Sequence, residues 1–246
     1  LTSEQQAFAD AVGKFALNEL APGALERAHS PHYPWDIASK LSEQGLLGIA
    51  LSEKDGGQGG TLMDAVIAIQ EVAMHCPKSA DVVQAGNFGA IRTFAEYASE
   101  QQKEKYLPDL LAGKKILGLG MSEPGAGSAV TELQTSAKKV DGGYLINGSK
   151  VFSTHSPEAG VFLIYLRFGP GLDGIGSVLV ERGADGLTIG QPNSFMSGEE
   201  WSQLYFEDCF ISDDSVLLGP GGFKKQISGF NIERIGNSSR ALALGR

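Results

Sequence analysis

The spacing of the apolar residues changes near residue 114, and this change constrains the fold more than any other feature of the sequence. Before it, apolar residues recur three or four positions apart, as Phe8, Val12 and Phe15 do, which predicts amphipathic helices. After it, short apolar runs such as Val161–Leu166 and Ser177–Val180 are bounded by Gly, Asn or Asp, which predicts strands. Because no helical pattern separates these strands, they favour an antiparallel sheet.

Three capping-box patterns mark the starts of helices in the first segment. They pair Ser3 with Gln6, Thr61 with Asp64, and Ser99 with Gln102. The first pattern predicts a helix from about residue 3 to residue 20. The helical signal returns after Gly219–Gly222, beyond the predicted strands.

The predicted fold class is therefore α+β, in three consecutive domains. Residues 1–113 form an N-terminal helical domain, and residues 114–219 form a middle antiparallel β domain. Residues 220–246 form the start of a C-terminal helical bundle. The last stretch, Ser238–Arg246, is rich in helix formers and has no stop signal, so we expect the chain to be a fragment with this third domain incomplete.

Composition excludes several classes of function. The sequence has 20 basic and 29 acidic residues, a formal net charge of -9, so general attraction to nucleic acid is not expected. No apolar run approaches the roughly 20 residues that span a bilayer, so no membrane insertion is expected. Cys76 and Cys209 are far apart, which argues against a disulfide framework and fits a reducing compartment. Only His29 and His32 are close together among the histidines, and no third ligand is near them, so no metal site is expected.

Common catalytic and nucleotide-binding motifs are missing. The sequence has no GxSxG and no GxxxxGK[ST]. Gly118-Leu-Gly120 and Gly125-Ala-Gly127 lack the third glycine that a GxGxxG fingerprint requires. Serine-hydrolase chemistry and Rossmann-type dinucleotide binding therefore have no support.

The segment Met121–Val130 has the composition of a phosphate-binding loop. It follows a predicted strand, and its glycines allow backbone N–H groups to turn toward one anion while its serines add hydroxyl donors. The alternative is an ordinary glycine-rich turn.

A second candidate segment is Tyr144–Thr154. Asn147-Gly148 within it predicts a type I′ hairpin turn between two strands. The second of these strands ends in Phe152, Ser153 and Thr154, which could offer a stacking surface and hydrogen bonds to a flat heterocycle. The alternative is the half-buried end of a strand.

Five segments, taken in order, resemble the acyl-CoA dehydrogenase family of flavoproteins, over its N-terminal and middle domains. They are Asp55–Gly60, Glu100–Pro108 ahead of Leu111–Gly113, Ser122–Ser128, Asn147–Lys150 and Phe206–Asp208. The order and approximate spacing of the segments match the family. The helical-then-β pattern is also the pattern that the family's architecture requires.

The resemblance implies that the cofactor is FAD. It assigns FAD contacts to Leu119, Met121, Ser122, Gly127, Ser128, Phe152, Ser153 and Thr154. Ser122 is expected near the isoalloxazine ring and Ser128 near the pyrophosphate and the acyl-CoA. Two residues depart from the family's usual pattern: Phe152 replaces a Trp and keeps the ring without the indole donor, and Ala129 replaces a frequent Asp.

The resemblance also implies a carboxylate base that removes the α-proton of the thioester. In most members this glutamate lies in the C-terminal helical domain, but in a minority it lies at the position of Glu233. Glu233 is therefore the catalytic candidate, and an ordinary surface carboxylate is the alternative. Ser128, Asn231 and Arg234 match positions that contact the acyl-CoA, although Asn231 departs from the commoner Asp.

The implied function is dehydrogenation of an acyl-CoA thioester to the trans-2-enoyl-CoA, with electrons passed to an electron-transfer flavoprotein. A homotetramer or homodimer is implied, in the bacterial cytoplasm or the mitochondrial matrix. Two alternatives stay open, a flavin monooxygenase or oxidase on the same scaffold, and a non-catalytic partner subunit. Fast reoxidation of the reduced protein in air would favour the first alternative, and a flavin content near one per chain would exclude the second.

Overall fold

A computed structural model describes residues 1–196 and 198–246, and the chain divides into two compact units. The helical unit comprises residues 1–95, 103–114 and 229–246. The sheet unit comprises residues 96–102 and 115–228. The three predicted domains are consecutive in sequence, with boundaries at residues 113 and 219. The helical unit, in contrast, combines residues from both ends of the chain, because it includes residues 229–246. The three-domain division therefore stays a prediction.

Nine α-helices are present in the described residues. They are α1 Ser3–Phe15, α2 Ala24–His29, α3 Trp35–Glu43, α4 Leu62–Ala73, α5 Pro77–Ala85, α6 Ala90–Tyr97, α7 Glu100–Leu111, α8 Phe223–Ser228 and α9 Phe230–Leu244. A π-helical turn over Ala16–Leu20 continues α1, so the first helical stretch ends at the predicted residue. No helix in the described part of the chain combines the length and hydrophobicity needed to cross a membrane.

Two of the three predicted capping boxes are confirmed. The Thr61 hydroxyl accepts from the Asp64 N–H, and the Asp64 carboxylate accepts from the Thr61 N–H, at the start of α4. Ser99 and Gln102 exchange the same pair of hydrogen bonds before α7. The first predicted box is wrong by one residue: Thr2 caps α1 with Gln5, since these two residues offer the same groups one position earlier.

The core of the helical unit centres on α4, which packs against α1, α5 and α9. Its buried side chains include Leu20, Ile37, Leu41, Ile69, Val72, Val83 and Phe88. Ile232 from α9 packs against the same cluster. Burial of these apolar side chains is the main term that stabilises the unit.

The sheet unit contains nine strands in the described residues. They are β1 Leu117–Gly120, β2 Ser136–Val140, β3 Gly143–Thr154, β4 Val161–Arg167, β5 Ile175–Glu181, β6 Leu187–Ile189, β7 Asn193–Ser194, β8 Glu200–Ser212 and β9 Val216–Leu218. The sheet order is β6-β8-β3-β2-β4-β5-β9, with β1 on β4 and β7 on β8. Most pairs are antiparallel, as predicted, but β1 pairs with β4 in parallel, and β2 meets β4 in parallel at one residue pair.

The predicted hairpin turn at Asn147-Gly148 is wrong. The turn between β2 and β3 is formed by Asp141 and Gly142, and Asn147-Gly148 lies inside β3. Gly148 has φ 140°, and a Cβ there would lie 2.6 Å from Oγ1 of Thr135, so glycine is needed for close packing. Asn147 instead exchanges two hydrogen bonds with Asp208 on β8, where the register shifts.

Candidate functional site

The loop that follows β1 is built around a tight turn. The N–H of Glu123 donates to the carbonyl of Ala126, and the N–H of Ala126 donates to the carbonyl of Glu123, each at 3.0 Å. Pro124 and Gly125 form the exposed tip of this turn. The turn leads directly into Gly127 and Ser128, which are also exposed.

The loop presents several free hydrogen-bond donors. In the part of the chain that the structure describes, the N–H groups of Gly125, Gly127 and Ser128 donate to no other group. The same holds for the hydroxyls of Ser122 and Ser128. A Cβ at Gly125 or Gly127 would meet no atom within 4 Å, and neither glycine has a positive φ. The role of these glycines is therefore to leave open space beside free donors, which suits an anion. They are not needed for a left-handed backbone conformation.

A buried ion pair joins the start of this loop to β3. Nζ of Lys150 lies 2.7 Å from Oε1 of Glu123, and the Lys150 side chain has no exposed surface. Lys150 also donates to the carbonyl of Met121 at 3.2 Å. The Glu123 carboxylate accepts from the backbone N–H groups of Gln134 and Thr135. These bonds satisfy both charged groups, as a buried pair requires.

Burial and pairing have opposing effects on the pKa values of Lys150 and Glu123. Burial lowers the pKa of Lys150 to about 8, against the attraction of Glu123. Burial would raise the pKa of Glu123, but Lys150 and the hydrogen bonds outweigh it and hold this pKa below its ordinary value. Both groups are therefore charged at neutral pH.

Two further contacts fix the segment 119–123 against the segment 150–153. The N–H of Val151 donates to the carbonyl of Ser122 at 2.8 Å. Oγ of Ser153 donates to the carbonyl of Leu119 at 2.9 Å. The structure therefore brings together the two segments that the sequence singled out separately. We refer to the loop and the end of β3, residues 119–128 and 150–154, as the cradle.

Phe152 stands at a β-bulge in the cradle. The pairing of β3 with β8 passes from Lys150 opposite Leu204 to Ser153 opposite Ser202, which leaves one extra residue on β3. Phe152 has φ 56° and a relative exposure of 57%, and its ring contacts Trp201 at 4.7 Å between centroids. Thr154 beyond it is exposed. An exposed aromatic ring held beside free donors is a candidate stacking surface.

The cradle fits the cofactor that the resemblance implies. FAD combines an anionic pyrophosphate with a planar ring system, and the cradle offers open, unpaired donors at Gly125–Ser128 and an exposed ring at Phe152. Among residues 1–196 and 198–246, the Ser122 and Thr154 hydroxyls have no hydrogen-bond partner, so they can bond to the ring. The Ser153 hydroxyl is already bonded to the carbonyl of Leu119, and the residue is buried, so its side chain supports the cradle from beneath. Leu119 and Met121 are half-buried at the base.

Sequence reasoning missed three residues of this region. Lys150 and Glu123 were part of the family segments, yet nothing in their spacing, 27 residues apart, predicts that they pair. The one available signal was a lysine directly before Val151 and Phe152 in a predicted strand, because a lysine that is buried in a strand needs a partner. Trp201, which contacts Phe152, carried no signal at all.

Glu233 lies in the helical unit, in the first turn of α9. Its Oε1 accepts from Nε2 of Gln84 at 2.8 Å, and the same Nε2 donates to Asn237 at 2.8 Å. Gly89 has φ 68°, and a Cβ there would lie 2.7 Å from Oε2 of Glu233. The carboxylate therefore packs against a position whose positive φ favours glycine, and it is not an ordinary surface group.

The surroundings of Glu233 favour its protonated form. Burial raises the pKa of Glu233 above the ordinary value of a glutamate, and Asp81 adds to this effect. The hydrogen bond from Gln84 and the charge of Arg240 oppose it, but burial is the larger influence. Arg240 is itself paired with Asp81.

The two predicted substrate contacts on α9 point away from this carboxylate. Nη1 of Arg234 donates to Oδ1 of Asn231 at 2.9 Å, and both side chains are exposed. Glu233 and Arg234 therefore occupy different faces of the helix, as consecutive residues do. No group of three or more His, Cys, Asp or Glu residues placed to hold a metal ion occurs in residues 1–196 and 198–246.

Comparison with known proteins gives two family matches. Residues 2–114 match the family model described as the acyl-CoA dehydrogenase N-terminal domain. Residues 118–209 match the model described as the acyl-CoA dehydrogenase middle domain. The mitochondrial isovaleryl-CoA dehydrogenase of rice, Oryza sativa subsp. japonica, is 33% identical over 238 residues, which are 94% of this chain and 58% of the relative.

Two solved structures show the same architecture. The butyryl-CoA dehydrogenase of Megasphaera elsdenii aligns with a TM-score of 0.89 and 30% identity, over 99% of this chain and 66% of that one. The FAD complex of PigA aligns with a TM-score of 0.86 and 26% identity, over 98% of this chain and 66% of that one. The chain therefore spans less than two thirds of each of these proteins.

Proposed function

The chain belongs to the acyl-CoA dehydrogenase family, and on this basis we propose that the whole protein is an FAD-dependent oxidoreductase acting on acyl-CoA thioesters. The product is the trans-2-enoyl-CoA. The observation that carries this proposal is the cradle, in which unpaired donors at Gly125–Ser128 stand beside the exposed ring of Phe152. The donors match the pyrophosphate of FAD, and the Phe152 ring matches its planar ring system.

We assign the binding of FAD to the residues of the cradle. The N–H groups of Gly127 and Ser128 and the Ser128 hydroxyl bind the pyrophosphate, since free amide donors around open space stabilise an anion. Phe152 stacks on the ring system, and Ser122 and Thr154 donate to its polar edge. Leu119, Met121 and Ser153 form the base that holds these groups in place.

Glu233 is the proposed base for the α-proton. Burial raises the pKa of Glu233 above the ordinary value of a glutamate, which makes the carboxylate a stronger base, and Gln84 fixes its orientation. FAD, when bound, supplies the acceptor for the hydride that leaves the β-carbon. The proton goes to the Glu233 carboxylate and the electron pair of the α-carbon forms the new double bond. Ser128, Asn231 and Arg234 are the proposed contacts to the thioester and its CoA.

The partners of the whole protein follow from the same family. We propose that electrons pass to an electron-transfer flavoprotein and that the protein forms a homotetramer or a homodimer. The relatives named above include a mitochondrial and a bacterial enzyme, so we propose the mitochondrial matrix or the bacterial cytoplasm as its location.

Anaerobic reduction of the flavin tests the proposal. The FAD-loaded, full-length protein is mixed without oxygen with short straight-chain and branched acyl-CoA thioesters, and the visible flavin absorption is followed. Bleaching of the flavin, with formation of enoyl-CoA, supports dehydrogenation. Subsequent reoxidation by electron-transfer flavoprotein but not by air separates a dehydrogenase from an oxidase. A protein that binds no flavin would instead fit the non-catalytic partner subunit.

A further inference from the structure

Phe152 lies outside the regular pairing between β3 and β8. The bulge removes it from the regular pairing between β3 and β8, and the preceding N–H, that of Val151, is directed to Ser122 on the loop. A positive φ in a residue other than glycine costs on the order of 1 kcal/mol, so it persists only when surrounding contacts hold it. More than half of the side chain is exposed. The rotamer of this exposed ring therefore depends on the side chains that contact it.

Trp201 contacts the Phe152 ring. The two ring centroids are 4.7 Å apart, and the ring planes meet at 52°. This distance is within the range of a favourable aromatic pair. Because the planes are tilted, a flat ligand that stacks on Phe152 cannot also stack on Trp201. Trp201 therefore supports one side of the Phe152 ring and does not enlarge the flat surface on which a ligand can stack.

Strand pairing on both sides holds the backbone of Trp201. Trp201 lies on β8 between two hydrogen-bonded neighbours, Thr154 on β3 and Asn193 on β7. The ring of Phe195 contacts Trp201 at 6.0 Å between centroids. A row of three rings therefore runs from Phe195 through Trp201 to Phe152. Only the last ring stands at the cradle.

From this geometry we infer that Trp201 is a positioning residue of the flavin site: it holds the Phe152 ring in the orientation that stacks on FAD. This inference rests on the proposed function, because it needs FAD in the cradle. It adds a residue that neither the motifs nor the family segments contain.

Replacing Trp201 in the full-length protein tests the inference. Trp201→Ala removes the ring that supports Phe152, whereas Trp201→Phe keeps a ring at the same position. Phe210→Ala is the matched control, since Phe210 is an exposed aromatic residue on the same strand and lies outside the row of rings. For each variant, apoprotein is titrated with FAD, and the visible circular dichroism of the bound flavin is recorded.

Trp201→Ala should weaken FAD binding by about threefold to tenfold, the equivalent of one aromatic pair, and should change the flavin dichroism. Trp201→Phe should restore both, and Phe210→Ala should leave both at the wild-type values. Equal or tighter FAD binding by Trp201→Ala, with unchanged dichroism, would overturn the inference. Failure of Trp201→Phe to restore either property would also overturn it.

A measurement on Trp201 itself covers the case in which Trp201→Ala does not fold. This chain has two tryptophans, Trp35 and Trp201, so Trp35→Phe, together with Phe in place of any tryptophan in the remainder of the full-length protein, leaves Trp201 as the only emitter. FAD binding should then quench nearly all tryptophan emission, because Trp201 lies beside the ring on which the flavin stacks. Emission that keeps most of its intensity at saturating FAD would overturn the inference. FAD binding by the wild-type protein is measured before any variant is compared. If the wild-type protein binds no FAD, the proposed function has failed.

Discussion

Nζ of Lys150 and Oε1 of Glu123 form a buried ion pair 2.7 Å long that ties β3 to the loop carrying Gly125–Ser128. The same carboxylate accepts from the N–H groups of Gln134 and Thr135, so one side chain holds three segments together. The free donors of the loop can face a ligand because the polar groups at its base are already satisfied.

Glu123→Gln should destabilise the protein strongly. It leaves Lys150 buried without its counter-charge, and breaking a buried pair in this way costs about 3–5 kcal/mol. Chemical denaturation followed by circular dichroism measures the loss. Asp213→Asn is the matched control, because its pair with Lys139 is 54% exposed on both sides and exposed pairs contribute less than about 1 kcal/mol. Equal losses in the two variants would contradict the role assigned to the buried pair.

Gly127→Val should lose FAD without losing stability. Gly127 has no positive φ, and a Cβ there meets no protein atom within 4 Å, so valine is accommodated by the fold and fills the space proposed for the pyrophosphate. Gly169→Val is the control, as Gly169 is equally open but lies in the loop between β4 and β5. Flavin content and thermal midpoint are measured for both. The same flavin content in wild type and Gly127→Val would refute the assignment of the loop.

Ser128→Ala should have a smaller effect on FAD. Its hydroxyl is one donor among several, and the backbone N–H groups of the loop remain, so the expected loss is about 1 kcal/mol, or roughly fivefold in Kd. Titration of the apoprotein measures it. Complete loss of binding would mean that the side chain, and not the backbone, provides the anion site.

The stability gained by Glu233→Gln should depend on pH. The pKa of Glu233 is raised by burial in the folded protein, so the folded state binds the proton more tightly than the unfolded state, and this group makes stability fall as pH rises from the unfolded to the folded pKa. Glutamine stays neutral and can still accept from Gln84. The variant should therefore be more stable than wild type at neutral pH and lose this advantage near pH 4. A pH-independent difference would contradict the raised pKa.

Local patterns in the sequence predicted the classes of element, because the signals for helices and strands are contained in the segments themselves. Thr61–Asp64 and Ser99–Gln102 are examples, since each capping box lies within four residues. Asn147-Gly148 shows the limit of such signals. The same dipeptide that favours a hairpin turn here lies within a strand, because Thr135 packs where a Cβ would be and Asp208 pairs with Asn147.

The two FAD-binding segments were identified separately, but their contact could not be predicted. It depends on bonds between positions far apart in sequence, such as Ser153 to Leu119 and Lys150 to Glu123. The surroundings of Glu233 were even less predictable, since its partner Gln84 is 149 residues away. The burial of a single carboxylate depends on how distant segments pack together. The spacing of residues in one sequence therefore does not predict it.

An experimental structure of the full-length protein with FAD tests the central claim most directly. The account predicts the pyrophosphate within hydrogen-bond distance of the Gly127 and Ser128 N–H groups and the isoalloxazine ring stacked on Phe152. A pyrophosphate bound elsewhere, with the cradle still open to solvent, would contradict it.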